Sequence, residues 1–165
     1  MLSKRSSLGP GLRMGAMGTA VLLAAASFVT SMAAADAGPS PEEREGMIFE
    51  RQQIMDQLNR DGELLGQIAA GTASAGMLAQ TTRSIANGAR DSLESFRTRL
   101  PGGRAKPEVW SHHADFMQRM EAFARNSEAM AKAGETGNVV AVTALMIDGM
   151  PCKQCHDIYR APKKP

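Results

Sequence analysis

Apolar residues recur every three or four positions in four separate stretches after residue 40, which is the spacing of helices with one buried face. The predicted helices cover about residues 41–70, 77–100, 107–133 and 139–150. Glycine and proline interrupt the pattern between them, and no stretch shows the alternation of a half-buried strand. Four amphipathic helices joined by short loops predict an all-α fold, an antiparallel up-down four-helix bundle.

The first residues have a different character. Three basic residues precede the apolar run Ala16–Met32, and small residues follow it. This order is typical of a secretory signal peptide, and the strictly apolar core Ala20–Ala26 is shorter than the roughly 20 residues that span a bilayer. We expect residues 1–37 to be cleaved on export to the periplasm, with a retained anchor as the alternative. The domain 38–165 then has no membrane association.

The charge balance argues against a polyanionic partner. The full chain has a formal net charge of +2, but residues 1–37 contain three basic residues and one acidic residue, so the remaining domain has 16 of each sign. A neutral domain of this kind lacks the electrostatic footprint of a nucleic-acid-binding protein.

The strongest motif is Cys152-Lys153-Gln154-Cys155-His156 near the C-terminus. Two cysteines three positions apart share a helix face, so both thiols can form thioethers with one haem while the adjacent imidazole binds the iron. A zinc site would need a fourth ligand, and a redox dithiol favours a βαβ context that this helical chain lacks. A plain disulfide is the remaining alternative. The pattern therefore predicts one covalently bound haem c inside the bundle.

The chain resembles the class II cytochromes c, the cytochrome c' family, over nearly all of its predicted mature length. The matching segments are Gly149–Arg160, which contains the haem motif, Lys106–Trp110 and Arg51–Met55. The resemblance implies a four-helix bundle, often dimeric, with haem between the helices near one end. Pro151 departs from the family pattern, and because proline disrupts a helix interior, we expect the last helix to kink or restart there.

The sixth iron ligand separates two functions within this family. The resemblance to its low-spin members predicts Met55 as an axial ligand opposite His156, with distal packing as the alternative role of Met55. Arg51, one turn earlier, is predicted at the haem edge or in solvent, and Arg160 is predicted to contact a propionate. His112 and His113 are adjacent on a helix, so at most one of them faces inward.

Three functional hypotheses follow. The leading one is a periplasmic one-electron carrier with iron held by His156 and Met55; it exchanges electrons with redox partner proteins and is not itself an enzyme. The alternative is a five-coordinate cytochrome that binds nitric oxide or carbon monoxide, with Met55 only packing over the distal face. A haem-free bundle with Cys152 and Cys155 in a disulfide is the third.

Overall fold

Six α-helices account for most of the residues that the computed structural model describes, which are residues 38–163. In chain order the helices are α1 Pro41–Ala69, α2 Leu78–Ser95, α3 Glu108–Ser111, α4 His113–Glu135, α5 Val139–Gly149 and α6 Cys152–Tyr159. The long helices α1, α2, α4 and α5 form the bundle, and each packs against the next in this order. The signal-peptide prediction for residues 1–37 lies outside the described residues.

The first helix begins where local signals place it. The Ser40 hydroxyl accepts a hydrogen bond from the Glu43 amide at 3.3 Å, and the Glu43 carboxylate accepts one from the Ser40 amide at 2.7 Å. This capping box satisfies two amides that a helix start leaves unpaired, and Pro41 has the φ angle that the first turn needs. At the other end, Gly71 has φ of +73°, which turns the chain towards α2. The predicted helix over residues 41–70 is confirmed.

One predicted helix is divided. The third breaks at His112, whose φ and ψ of −114° and 38° leave α3 as a single turn before α4. The fourth, predicted over residues 139–150, ends as α5 at Gly149; Met150 follows with φ and ψ of −120° and 70°, and α6 starts immediately after Pro151. The restart expected at this proline is therefore confirmed. It gives the two cysteines a short helix of their own.

The apolar side chains form two packed groups. The central cluster consists of Leu58, Leu65, Ile68, Leu78, Ile85, Met130 and Val142. The aromatic cluster consists of Leu93, Phe96, Val109, Phe116, Met120 and Tyr159. Phe116 lies edge-on to Phe96 and to Tyr159, with ring centroids 5.1 and 5.0 Å apart. The aromatic cluster thus ties α6, which contains the haem motif, to α2, α3 and α4.

Apart from a single bridge between Ala105 and Arg160, the part of the chain from residue 38 to residue 163 is helix, turn or irregular loop. Within that part, no helix combines the length and the apolar character needed to cross a membrane. The predicted all-α four-helix bundle is confirmed.

Close contact between α2 and α4 gives a test of the packing. A Cβ atom added at Gly134 would lie 2.1 Å from the Thr82 hydroxyl oxygen, whereas a Cβ at Gly66 would meet nothing within 4 Å. We expect Gly134→Ala to lower the free energy of unfolding by about 1–3 kcal/mol through overpacking. Gly66→Ala should raise it by about 0.5–1 kcal/mol, because alanine favours a helix interior. Urea unfolding of both variants checks this, and equal effects would contradict the packing described.

Candidate haem site

The two cysteines of the motif lie on α6, in its first turn. Cys152 is exposed and Cys155 is partly buried, and both are free thiols. The helix starts with hydrogen bonds from the Cys152 amide to the Met150 carbonyl at 2.8 Å and from the Cys155 amide to the Pro151 carbonyl at 3.0 Å. Proline fits this start because it lacks an amide hydrogen that would otherwise need a partner. The break therefore presents both thiols on one side of a new helix.

The pKa values of the two thiols bear on whether the cysteines act as a redox dithiol. Desolvation raises the pKa of both Cys152 and Cys155 above the usual value for a thiol. Both sulfurs are therefore protonated at neutral pH, whereas dithiols that exchange disulfides have a lowered pKa. The raised pKa values therefore argue against redox cycling of these sulfurs.

His156 follows the second cysteine and is half-buried. Burial lowers the pKa of its imidazole, and the positive charges of Arg160 and Arg104 lower it further. The ring is therefore neutral at physiological pH, which is the form that binds a metal ion. Its environment fits the axial-ligand role predicted from the sequence.

A cavity of about 400 Å³ opens beside the motif. Its volume lies in the range of cofactor pockets, roughly 300–1,000 Å³. One wall belongs to α1 and the other to the end of α5 and the start of α6, and the lining residues are Leu58, Asn59, Gly62, Glu63, Met146, Met150 and Cys152. At Gly62 an added Cβ would approach the Met150 methyl group to 3.3 Å, so the two walls are in close contact at this point. The cavity is open to solvent, mainly apolar, and reaches the Cys152 thiol, one of the two predicted attachment points.

Met55 lies on α1 one turn before Leu58, which lines this cavity. It is partly buried and packs against both the central cluster and the aromatic cluster, and the aromatic cluster also contacts Cys155. The structure therefore brings Met55 to the same region as the haem motif. Axial ligation by Met55 stays a prediction.

Arg51 is only 5% exposed, so the expectation of a solvated side chain is wrong. Its guanidinium donates four hydrogen bonds of 2.7–3.0 Å to the backbone carbonyls of Ser95, Thr98 and Leu100, and its Cζ lies 4.4 Å from the centre of the Phe96 ring. Because the group has five N–H donors, at most one remains for a propionate. The haem-edge contact stays a prediction, while the contacts themselves fasten the end of α2.

Arg160 lies at the C-terminal end of α6 with its side chain exposed. Its amide donates a hydrogen bond to the His156 carbonyl at 2.9 Å. Arg160 also forms the isolated antiparallel β-bridge with Ala105. Flanking hydrogen bonds run from the Lys106 amide to Tyr159 at 2.9 Å and from the Ala161 amide to Arg104 at 2.8 Å. The backbone around Arg160 is thus clamped near His156, and its contact with a propionate stays a prediction.

The two histidines at the start of α4 differ in orientation, as expected. His113 faces inward, where its Nε2 lies 3.0 Å from the Phe96 carbonyl and its ring stacks on Trp110, while His112 is exposed and contacts Ser111. The indole N–H of Trp110 is buried and has no hydrogen-bond partner among the described residues. These groups border the aromatic cluster, which also contacts Cys155.

Sequence reasoning missed Asp115. Its Oδ2 accepts hydrogen bonds from Arg119 Nε at 2.8 Å and from the hydroxyl of Tyr159, which belongs to α6. The spacing of Asp115 and Arg119 is a readable helical ion pair. No sequence signal connects either residue to Tyr159, 44 positions further along.

Two hydrogen-bonded carboxylates should make the stability of the fold depend on pH in the acid range. Bonds from Arg119 and Tyr159 lower the pKa of Asp115, and a bond from Arg83 lowers that of Glu128. A lowered folded-state pKa stabilises the fold above the unfolded-state value of about 4, and that contribution is lost as pH falls through the folded-state value. We expect Tm to fall between about pH 5 and pH 2, and to fall less in Asp115→Asn. A Tm that is constant over this range would contradict the prediction.

Comparison with known proteins places these features in a family. The family profile described as cytochrome c' matches residues 46–160. A cytochrome c' of Alcaligenes xylosoxydans xylosoxydans is 41% identical over 70 residues, which are 42% of this chain and 55% of the relative. A cytochrome c' of Rubrivivax gelatinosus is 37% identical over 60 residues, 36% of this chain and 46% of the relative. The chain spans about half the length of these curated relatives.

Solved structures extend the likeness to the whole bundle. The nitric oxide complex of a leucine-to-alanine mutant of cytochrome c prime from Alcaligenes xylosoxidans has a TM-score of 0.66 and 26% identity, covering 73% of this chain and 97% of that one. Another structure, named cytochrome c', has a TM-score of 0.64 and 26% identity, covering 71% and 96%. Together with the profile match, the bundle and the Cys152–His156 motif, these comparisons show that the chain belongs to the cytochrome c' family, whose members carry one covalently attached haem c.

Proposed function

We propose that this protein binds a diatomic gas, nitric oxide or carbon monoxide, at the iron of its haem, with His156 as the only protein ligand. The nitric oxide complex of a relative that shares this fold over 73% of the chain is the observation that carries the proposal. It favours the gas-binding hypothesis over the electron carrier that the sequence favoured.

The residues of α6 have separate tasks in this proposal. Cys152 and Cys155 hold the haem through thioether bonds, and His156 in its neutral form occupies one axial position. The haem supplies an iron with an open position, which is the chemistry that a diatomic gas requires. Covalent attachment suits a chain with only five phenylalanines, one tryptophan and one tyrosine, because few aromatic rings are present to enclose a planar cofactor.

Met55 has a steric role in the proposed function. It is packed against both apolar clusters, so its thioether already has neighbours without any metal bond. Methionine fills irregular apolar space and adapts to small changes in shape. We infer that it covers the distal side of the haem, excludes water and sets how easily a small ligand enters.

Electron transfer with Met55 as sixth ligand is the second candidate. The observation in its favour is that Met55 contacts the same cluster as Cys155, which places a thioether in the region of the motif. Methionine opposite histidine would complete the coordination of the iron and raise its reduction potential. Redox partner proteins would then be required.

The cellular setting is also part of the proposal. We propose that residues 1–37 direct export and are removed, so that the domain 38–165 works in the periplasm as a binding protein rather than an enzyme. The signal-like pattern of residues 1–37 supports export. A homodimer, implied by the resemblance to the family, is the proposed assembly.

Carbon monoxide added to the reduced holoprotein tests the proposal. The absorption spectrum of the wild type should change on mixing, and Met55→Ala should bind the gas at least several-fold faster, because less side-chain volume covers the distal side. Met117→Ala, at a partly buried methionine of α4 packed on the aromatic cluster, is the matched control and should leave the rate unchanged. A wild type that is inert to the gas, beside a reactive Met55→Ala, would support the second candidate instead.

A further inference from the structure

The helix that holds the haem motif has a single buried residue. Of the eight residues of α6, only Tyr159 is buried, at 5% exposure. The opposite end of the helix is open, because Cys152 is exposed and borders the cavity. The most buried contact between α6 and the bundle therefore lies at the C-terminal end of this helix.

Tyr159 is held by two kinds of contact with α4. Its ring packs edge-on against Phe116 at 5.0 Å, and its hydroxyl donates a hydrogen bond to Oδ2 of Asp115. The same oxygen accepts a hydrogen bond from Arg119 Nε at 2.8 Å, which orients the carboxylate. Hydrogen bonds to a charged acceptor are stronger than neutral ones. Asp115 is thus the polar anchor of α6.

Backbone hydrogen bonds fix the same end from the other side. The Tyr159 carbonyl accepts from the Lys106 amide at 2.9 Å, and the Asp157 carbonyl accepts from the Lys106 ammonium at 2.9 Å. These bonds hold the C-terminal end of α6 to the loop before α3. The hydroxyl bond to Asp115 adds a separate attachment of the same end, to α4.

We propose that Asp115 is a positioning residue for the axial ligand His156, acting through the hydroxyl of Tyr159 to fix the orientation of α6. His156 and Tyr159 are three positions apart and therefore lie on neighbouring parts of one helix face. Rotation of α6 about its axis would move the imidazole, so the anchor sets the angle between that ring and the haem. The inference rests on the proposed attachment of haem to α6 and deepens it.

Electron paramagnetic resonance of the ferric holoprotein tests the proposal, since its g values and line widths report the geometry at the iron. Tyr159→Phe keeps the ring and removes the hydroxyl, and Asp115→Ala removes the acceptor. We expect both to shift or broaden the iron signal. Asp115→Asn retains an oxygen that can accept the hydroxyl bond, and it should restore a signal close to that of the wild type.

A matched control separates positioning from stability. The Ser84 hydroxyl donates to the buried carboxylate of Asp61 at 2.6 Å, so Ser84→Ala removes a bond of the same kind that joins α2 to α1 and does not involve α6. This variant should lower Tm and leave the iron signal unchanged. If Tyr159→Phe and Asp115→Ala behave in the same way, the positioning role is overturned.

Failure of the positioning role of Asp115 can be distinguished from failure of gas binding. Wild-type holoprotein that does not react with carbon monoxide would refute gas binding, while the iron signals of the variants would still decide the role of Asp115. Wild-type protein without covalently bound haem, measured as the pyridine haemochrome after acid-acetone extraction, would overturn both proposals.

Discussion

Replacement of both Cys152 and Cys155 by serine is expected to abolish covalently retained haem completely. The protein, produced together with the machinery that attaches haem to c-type cytochromes, should lose all its haem to acid acetone. The physical reason is that serine cannot form the thioether bonds, and the cavity beside Cys152 has no aromatic side chain among its lining residues to stack on a planar cofactor. The pyridine haemochrome of the extracted protein gives the result directly.

Single replacements and a neighbouring residue provide the controls. Cys152→Ser and Cys155→Ser each leave one thioether, so each should keep haem in the protein fraction. Gln154→Ser lies between them in the motif, has an exposed side chain and should behave as the wild type. Full retention of haem by the double variant would place the attachment elsewhere and remove the proposed site.

The second large effect is on stability. Arg51→Leu should lower the free energy of unfolding by at least about 3 kcal/mol, because it deletes four hydrogen bonds from a charged donor, including a buried bond to the Leu100 carbonyl and part-buried bonds to Ser95 and Thr98. It also removes the stacking of the guanidinium on Phe96 at 4.4 Å and near Trp110 at 5.5 Å. Urea-induced unfolding followed by circular dichroism measures the change.

Arg60 offers a matched comparison for Arg51 on the same helix. Its guanidinium is exposed and bonds only to the nearby Gln57 side chain among the described residues. Arg60→Leu should therefore change the free energy of unfolding by no more than about 0.5 kcal/mol. Arg51→Lys should recover little of the lost stability, because an ammonium lacks the planar set of donors that reaches three carbonyls. Equal stability of Arg51→Leu and Arg60→Leu would contradict the anchoring role.

The helices could be predicted from the sequence because their signals are local. Helix α1 begins at Pro41, as predicted, because residues only three positions apart cap it, and Pro151 interrupts the last bundle helix through its own ring. The motif at Cys152–His156 is equally local, since one helical turn brings its members together. Each of these predictions needed only the chemistry of neighbouring residues.

The features that could not be predicted depend on contacts between distant parts of the chain. Helix α2 ends at Ser95, five positions before the predicted end at residue 100, where Arg51 binds carbonyls 44 to 49 positions away. Spacing places Met55 on the correct helix, but spacing does not decide between packing and iron ligation. The anchoring of Tyr159 by Asp115 likewise joins two helices, so neither residue signals it alone.

The central claim is that the iron keeps one axial position open while Met55 only packs beside it. The absorption spectrum of the ferric holoprotein at neutral pH tests this most directly, since spin state and sulfur ligation both alter it. We predict a high-spin spectrum without a sulfur-to-iron charge-transfer band. The spectrum of Met55→Ala should also be high-spin. A low-spin spectrum that shows this band and turns high-spin in Met55→Ala would contradict the claim.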